Sequence, residues 1–242
     1  MKPLTTFFFD LDGTLLPIDN KKFEELYFGN LSARFTDLYS PQEFIQLIWN
    51  ATKAMVADTR HVTNETAFME ALGSVVNGNL GEMQERFIEF YKTGFDKVRE
   101  AVIESVEVHE SVALLKKKGY DLVVATNPMF PRLAIEKRIE WTGLDRNDFS
   151  YVTSFEDNHY CKPQPMFFQE LLDVLKKDGE EVLMVGNDVE EDMVAKQLGI
   201  STYLITNHMV NRKNKEVVAD HIGTYADFLR FVESLPDLTE GD

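Results

Sequence analysis

The chain has 242 residues, with 25 Lys and Arg against 41 Asp and Glu and a formal net charge of −16. A surface this acidic repels phosphate backbones and anionic membranes, which argues against non-specific nucleic-acid binding by counterion displacement. A hydrophobic fraction of 44% with 27% charged residues is that of a folded chain able to bury one substantial core, or a core plus a smaller domain. The single cysteine, Cys161, has no internal disulfide partner, and no stretch approaches the roughly 18 apolar residues of a membrane helix. Asp10 and Asp12 interrupt the N-terminal apolar run before a secretory segment can form. The expectation is a soluble, cytoplasmic protein, a monomer or homodimer, that engages neither nucleic acid nor membrane.

The first β-like run is Thr5 to Phe9, and more than a hundred residues then pass without another. That interval reads as helices. They cover about Lys21 to Tyr39, a segment opened by Ser40-Pro41 with Phe44, Ile48, Ala51 and Met55 on helical spacing, a third opened by Asn64-Glu65, and about Leu80 to Phe95. A domain seldom holds so long a structureless loop, so a four-helix insertion over residues 17–104 is the simplest account, with residues 1–16 and 105–242 forming the core.

Beyond the insertion, strand and helix patterns alternate: helix from Ser111 to Lys118, strand from Asp121 to Ala125, helix from Arg132 to Thr142, strand from Phe149 to Thr153, helix from Met166 to Lys177, strand from Val182 to Val185, helix from Glu190 to Leu198, strand from Thr202 to Ile205. Gly119, Gly143, Gly179 and Gly199 each follow a helix, where a left-handed residue usually ends it. Thr239 to Asp242 read as a frayed tail. The alternation predicts an α/β fold, a Rossmann-like parallel sheet core flanked by helices.

Four segments carry the candidate chemistry. In Phe7-Phe8-Phe9-Asp10-Leu11-Asp12-Gly13-Thr14 an apolar strand runs into two carboxylates and a glycine turn. Open α/β sheets bind ligands at the carboxyl ends of their strands, and paired carboxylates there suit one ionised nucleophile beside one proton carrier. Taken alone, Asp12-Gly13 fits a strand-ending turn equally well. Gly186-Asn187-Asp188-Val189-Glu190-Glu191-Asp192 follows the fourth run; Asp188 is a good helix N-cap, yet capping leaves Asp192 unexplained, and oxygen donors for Mg²⁺ are the other reading. Thr126-Asn127 closes the second run, and Lys162-Pro163 precedes a helix. Separately, the former is most simply a turn and the latter a surface charge.

In their order and spacing the four segments resemble the motifs of the haloacid dehalogenase-like superfamily, across nearly the whole chain, and the helical insertion resembles its C1-type cap. The resemblance implies a phosphoric monoester hydrolase with Asp10 as nucleophile and Asp12 as general acid and base. It implies that Thr126, Asn127 and Lys162 bind the phosphoryl group of a small phosphorylated metabolite. It also implies that Mg²⁺ is held by the Asp10 carboxylate, the Asp12 carbonyl and Asp188, with Asp192 in support. The fourth motif departs from the common Gly-Asp, since Asn187 intervenes, and either Asn187 or Asp188 takes the ligand position, with Asp188 the preferred reading. Asp12 favours phosphate esters over haloacids, which need no leaving-group acid. A phosphomutase and a non-catalytic binding protein with the same fold are the alternatives. Lys53, Arg60 and His61 are candidates for substrate contacts from an otherwise acidic insertion, while Trp49 and Trp141 read as core.

Overall fold

A computed structural model describes residues 2–76 and 79–239. Its strands, β1 (Thr6–Phe9), β2 (Asp121–Val124), β3 (Tyr151–Val152), β4 (Val182–Gly186), β5 (Ser201–Ile205) and β6 (His221–Gly223), form one parallel sheet in the order β3-β2-β1-β4-β5-β6. Because the chain winds outward from β1 to β3 and then crosses back to β4, the order reverses beside β1. Ligands of open α/β sheets lie at that crossover.

The run Phe7-Phe8-Phe9 is apolar throughout because β1 is covered on both faces. Phe8 pairs in register with Val123 and Met184 and packs with Phe167, Phe168 and Leu171 of α7 (Pro165–Leu175). Phe7 and Phe9 point the other way, toward Phe228 of α8 (Tyr225–Ser234), with ring centroids 6.4 and 6.0 Å apart. Full burial of such a ring contributes about 2 kcal/mol, so this strand is a principal tie between the two helical layers. α5 (Val106–Lys117) and α6 (Arg132–Thr142) end on Lys118-Gly119 and Gly143, and both glycines have φ of +80°.

Four helices occupy the interval between β1 and β2: α1 (Asn20–Ser32), α2 (Pro41–Ala57), α3 (Asn64–Gly73) and α4 (Leu80–Thr93), followed by a 3₁₀ turn over Phe95–Ala101. Ser40 and Glu43 close a capping box on α2, and Phe44, Ile48, Ala51 and Met55 form its buried stripe. Where the chain leaves and re-enters the sheet domain it pairs with itself, since Asp19 N–H donates to Ala101 O at 3.0 Å and Ile103 N–H to Pro17 O at 2.8 Å. On the other side the start of α3 is tied down: Asn64 N–H donates to Asn158 O and Glu65 N–H to Phe155 O, both at 2.9 Å.

Several sequence expectations need correction. The first insertion helix stops at Ser32, and the fourth at Thr93. The third run shrinks to Tyr151–Val152. The helix expected over Glu190–Leu198 is a turn followed by a 3₁₀ segment, Met193–Leu198, because its acidic residues are engaged in loop contacts described below. Gly179 does not end a helix. Lys176 takes the left-handed conformation there (φ 54°), and Gly179 is needed because a Cβ would collide with the Leu198 carbonyl. β6 and α8 lay outside the expected elements; β6 is a three-residue edge strand with two exposed positions, too short for a pattern. Thr239 is described, its N–H capped by Asp237 at 2.9 Å, while the rest of the expected tail lies outside the described residues.

Candidate active site

β1 delivers Asp10 to the crossover. Its N–H continues the ladder, donating to Val185 O at 2.9 Å, and the chain then folds back through Gly13, whose N–H donates to Leu16 O at 2.7 Å. Gly13 has φ of +83°, and a Cβ there would collide with the Asn187 amide. Gly13→Ala is therefore expected to lower unfolding stability by about 2 kcal/mol or more, read as a shift in urea midpoint. Tyr225 of α8 adds a 2.7 Å hydrogen bond to the Gly13 carbonyl.

Lys162 is 1% exposed and lies between carboxylates: its Nζ donates to Asp10 Oδ1 at 3.0 Å and to Asp192 Oδ1 at 2.6 Å. Burial opposes its charge, but Asp10 and Asp192 together outweigh that cost and hold the ammonium above its ordinary range. Burial pushes the Asp192 carboxyl up to about 7, against Lys162 and the Asp188 N–H, which donates to its Oδ2 at 2.9 Å. Gly186 permits this, since a Cβ there would overlap the Asp192 carboxylate. The acids after β4 are thus sorted by role. Asp188 Oδ1 receives the N–H groups of Glu190 and Glu191 at 2.8 and 3.0 Å, a turn cap, while its Oδ2 meets the exposed Arg212 guanidinium.

The amides of the second and fourth motifs act within the scaffold. Asn127 clamps the Lys162 backbone, accepting from its N–H at 3.1 Å and donating to its carbonyl at 3.2 Å, and also donates to Glu191 at 2.9 Å. Asn187 accepts from Thr14 Oγ1 at 3.3 Å and donates to His208 O at 2.6 Å, tying the fourth motif to the turn after β1. Asn187 and Asp188 both border the site, Asn187 with its amide engaged at both ends and Asp188 with its carboxylate held by the turn and by Arg212. Thr126 stands at the end of β2 and also faces it.

Sequence reasoning missed Arg138. It lies in α6, is 1% exposed, stacks on Phe130 with its guanidinium carbon 4.4 Å from the ring centroid, and donates Nη1 to Asp12 Oδ2. Its Nη2 and Asp12 Oδ1 are buried without partners among the described residues. Burial raises the Asp12 carboxyl and the Asp10 charge adds to this, while Arg138 opposes both. The signal was present in the sequence: Ala134, Ile135, Arg138 and Ile139 form one helical stripe, so a cation sits where the pattern demands an apolar residue.

Asp10, Asp12, Thr126, Asn127, Asp188 and Asp192 border a cavity of about 730 Å³ whose far side is formed by the four helices between β1 and β2. Lys53, Arg60 and His61 do not border it. Arg60 is held on the surface by Asp58 and by Glu70 at 2.9 Å, and His61 stacks on His159 at 4.0 Å. Trp141 is core as expected, but Trp49 is 39% exposed and borders the cavity.

The carboxylates of Asp10 and Asp188, both at the border of the cavity, suit a hard divalent cation. Among the described residues no three His, Cys, Asp or Glu groups form a closed metal cluster. An ion bound through one or two carboxylates, with water and phosphate oxygens completing its shell, matches that donor set. Asp192 has both oxygens engaged and contributes through Lys162 and Asp188.

The haloacid dehalogenase-like hydrolase family model matches residues 4–199. The chain is 25% identical over 237 residues to the pyrophosphatase PpaX of Anoxybacillus flavithermus, covering 97% of this chain and 95% of that one. Its fold is similar to that of a predicted phosphoglycolate phosphatase from Haemophilus somnus (TM-score 0.61, 19% identity, 96% of this chain and 99% of the other). It is similar also to a haloacid dehalogenase-like phosphatase from Thermococcus onnurineus (TM-score 0.61, 20% identity, 97% and 100%). The motif order read along the sequence and the match along the chain agree, and the protein belongs to the haloacid dehalogenase-like hydrolase family.

Proposed function

We propose that the protein is a Mg²⁺-dependent phosphatase of small phosphorylated metabolites, working in a reducing cytoplasm, with the helical insertion of residues 17–104 as a cap over the site. The observation that carries this reading is Lys162, buried 3.0 Å from Asp10 and 2.6 Å from Asp192 beside Asp12 and Asp188. Asp10 and Asp12 border the cavity and Lys162 contacts Asp10 from outside its lining, so a nucleophile, a proton carrier and a fixed positive charge meet at one place, the components phosphoryl transfer requires.

In the proposed reaction the Asp10 carboxylate attacks phosphorus and the phosphorus–oxygen ester bond breaks. Asp12 gives its proton to the departing alkoxide. Asp12 then takes a proton from water as that water attacks the aspartyl-phosphate, which releases inorganic phosphate and restores Asp10. Thr126 Oγ1, the Asn127 main-chain N–H and Lys162 Nζ would hold the phosphoryl oxygens, while Arg138 orients the Asp12 carboxyl. Mg²⁺, held by Asp10, Asp188 and the Asp12 carbonyl, would neutralise phosphoryl charge. The cap excludes bulk water once substrate is in place.

The test is steady-state phosphate release from a panel of sugar phosphates, nucleoside monophosphates, phosphoglycolate, pyrophosphate, acetyl phosphate and simple alkyl and arylalkyl phosphates. Turnover is expected with Mg²⁺, is lost with EDTA, and is inhibited by Ca²⁺, whose looser and higher coordination spoils in-line geometry. Arg212→Ala removes the cation resting on Asp188, so the Mg²⁺ concentration for half-maximal activity should fall several-fold. A folded protein that releases no phosphate from any member, or whose turnover survives EDTA, overturns the reading.

A further inference from the structure

The cavity extends well beyond what a phosphoryl group fills, and its outer walls are rings. Phe23 and Phe28 of α1, Trp49 of α2, Phe68 of α3 and Phe87 of α4 face Phe130, which follows β2. All six are only partly buried. They form interlocking tilted and edge contacts, with centroids 6.3 Å apart for Phe23 and Phe130, 5.6 Å for Phe28 and Trp49, and 6.5 Å for Phe68 and Phe87. A concave apolar surface of this size, contributed by every helix of the insertion and open to a catalytic cleft, is the signature of a ligand site rather than of a core.

The charges bordering the same space are equally selective. Away from the motif residues the acidic groups are Glu24 and Glu65 of the insertion and Glu156, whose carboxylate also accepts from the Arg132 N–H. Burial and the neighbouring Glu156 push the Glu65 carboxyl up, consistent with a site that already has excess negative charge. The two cations that border the cavity are both committed, Arg138 to Asp12 and Arg212 to Asp188 and Glu191. Arg138 Nη2 is buried without a partner among the described residues, but the guanidinium charge is already matched by Asp12. A second phosphate or a carboxylate on the substrate would meet three glutamates and no free ammonium or guanidinium.

We propose that the leaving group of the substrate is an apolar alcohol bearing a ring, with no second anionic group. The inference rests on the phosphatase reading and sharpens it. It sets this chain apart from enzymes that must seat a second phosphate or a carboxylate beside the reacting one.

Three primary alkyl phosphates with comparable leaving groups test it: n-propyl phosphate, 3-phenylpropyl phosphate and 2-carboxyethyl phosphate, with acetyl phosphate as an activated control. The kcat/KM for 3-phenylpropyl phosphate should exceed that for n-propyl phosphate by about 10- to 100-fold, the range expected from burying one ring. The value for 2-carboxyethyl phosphate should fall below that for n-propyl phosphate, and Glu65→Gln should narrow that gap. Phe68→Ala should reduce the phenylpropyl-to-propyl ratio about tenfold. If Phe68→Ala does not fold, Trp49→Ala at the partly open edge of the cavity reads the same ratio. Equal values for the phenylpropyl and propyl esters, or a preference for the carboxyethyl ester, overturn this inference while leaving the phosphatase reading standing. Failure to hydrolyse all four, acetyl phosphate included, removes both.

Discussion

Asp10→Asn is expected to lower kcat on the order of 10⁴-fold or more while the protein stays folded. The substitution keeps the shape and hydrogen-bonding reach of the side chain but removes the charge and the nucleophilic oxygen, and loss of a covalent nucleophile has effects of this size. Lys162 keeps its 2.6 Å partner Asp192, so the buried ammonium is not orphaned and the circular dichroism spectrum should be unchanged. Rapid quenching of the wild type during turnover should show a phosphoryl adduct on the peptide containing Asp10, and the variant should show none. Residual activity above a tenth of wild type would remove Asp10 from the mechanism.

Lys162→Met should cost both activity and stability, and the two losses separate in a double variant. Removing the ammonium leaves Asp192, which is 1% exposed, and Asp10 facing each other without a counter-charge. Breaking a buried pair in this way costs about 3–5 kcal/mol. Lys162→Met with Asp192→Asn withdraws the stranded charge, so the urea midpoint should recover by more than half while kcat stays at the single-variant level. The pH dependence has a definite sign. The folded-state value of Lys162 lies above its ordinary 10.5, so its contribution is complete below 10.5 and is lost only as pH rises beyond that, through the raised value. The methionine variant should lack this alkaline loss of stability. A double variant no more stable than the single one would show that the penalty comes from losing the ammonium over the Phe167 and Phe168 rings, 5.6 and 6.0 Å from their centroids, rather than from stranded charge.

The features legible in the sequence were those encoded by neighbours along the chain. A run of three phenylalanines, and Ser40-Pro41 opening a segment with Phe44, Ile48, Ala51 and Met55 on helical spacing, each express a local physical preference, and each became the corresponding element. The four motifs were legible for the same reason, since three are strand ends followed by a turn and the remaining one, Lys162-Pro163, lies just before a helix. Local signals misled at Glu190–Leu198. There the acids that ought to begin a helix are drawn to partners far along the chain, Asp192 to Lys162 and Glu191 to Asn127. α8 went unread although Thr224 and Asp227 close a capping box and Tyr225, Phe228 and Val232 share a buried face.

By itself, then, the sequence determined the sheet-and-helix alternation, the helical interval after β1 and the residues that meet at the crossover, because short-range sterics and hydrophobic period decide those. Only the tertiary structure decided that Asn127 and Asn187 brace the motifs, that Arg138 pairs with Asp12 across 126 positions of chain, and that aromatic rings line the cavity with glutamates at its border. Each of these depends on charge or apolar surface brought together by folding, and hydrogen bonds and desolvation act over ångströms in space irrespective of separation along the chain.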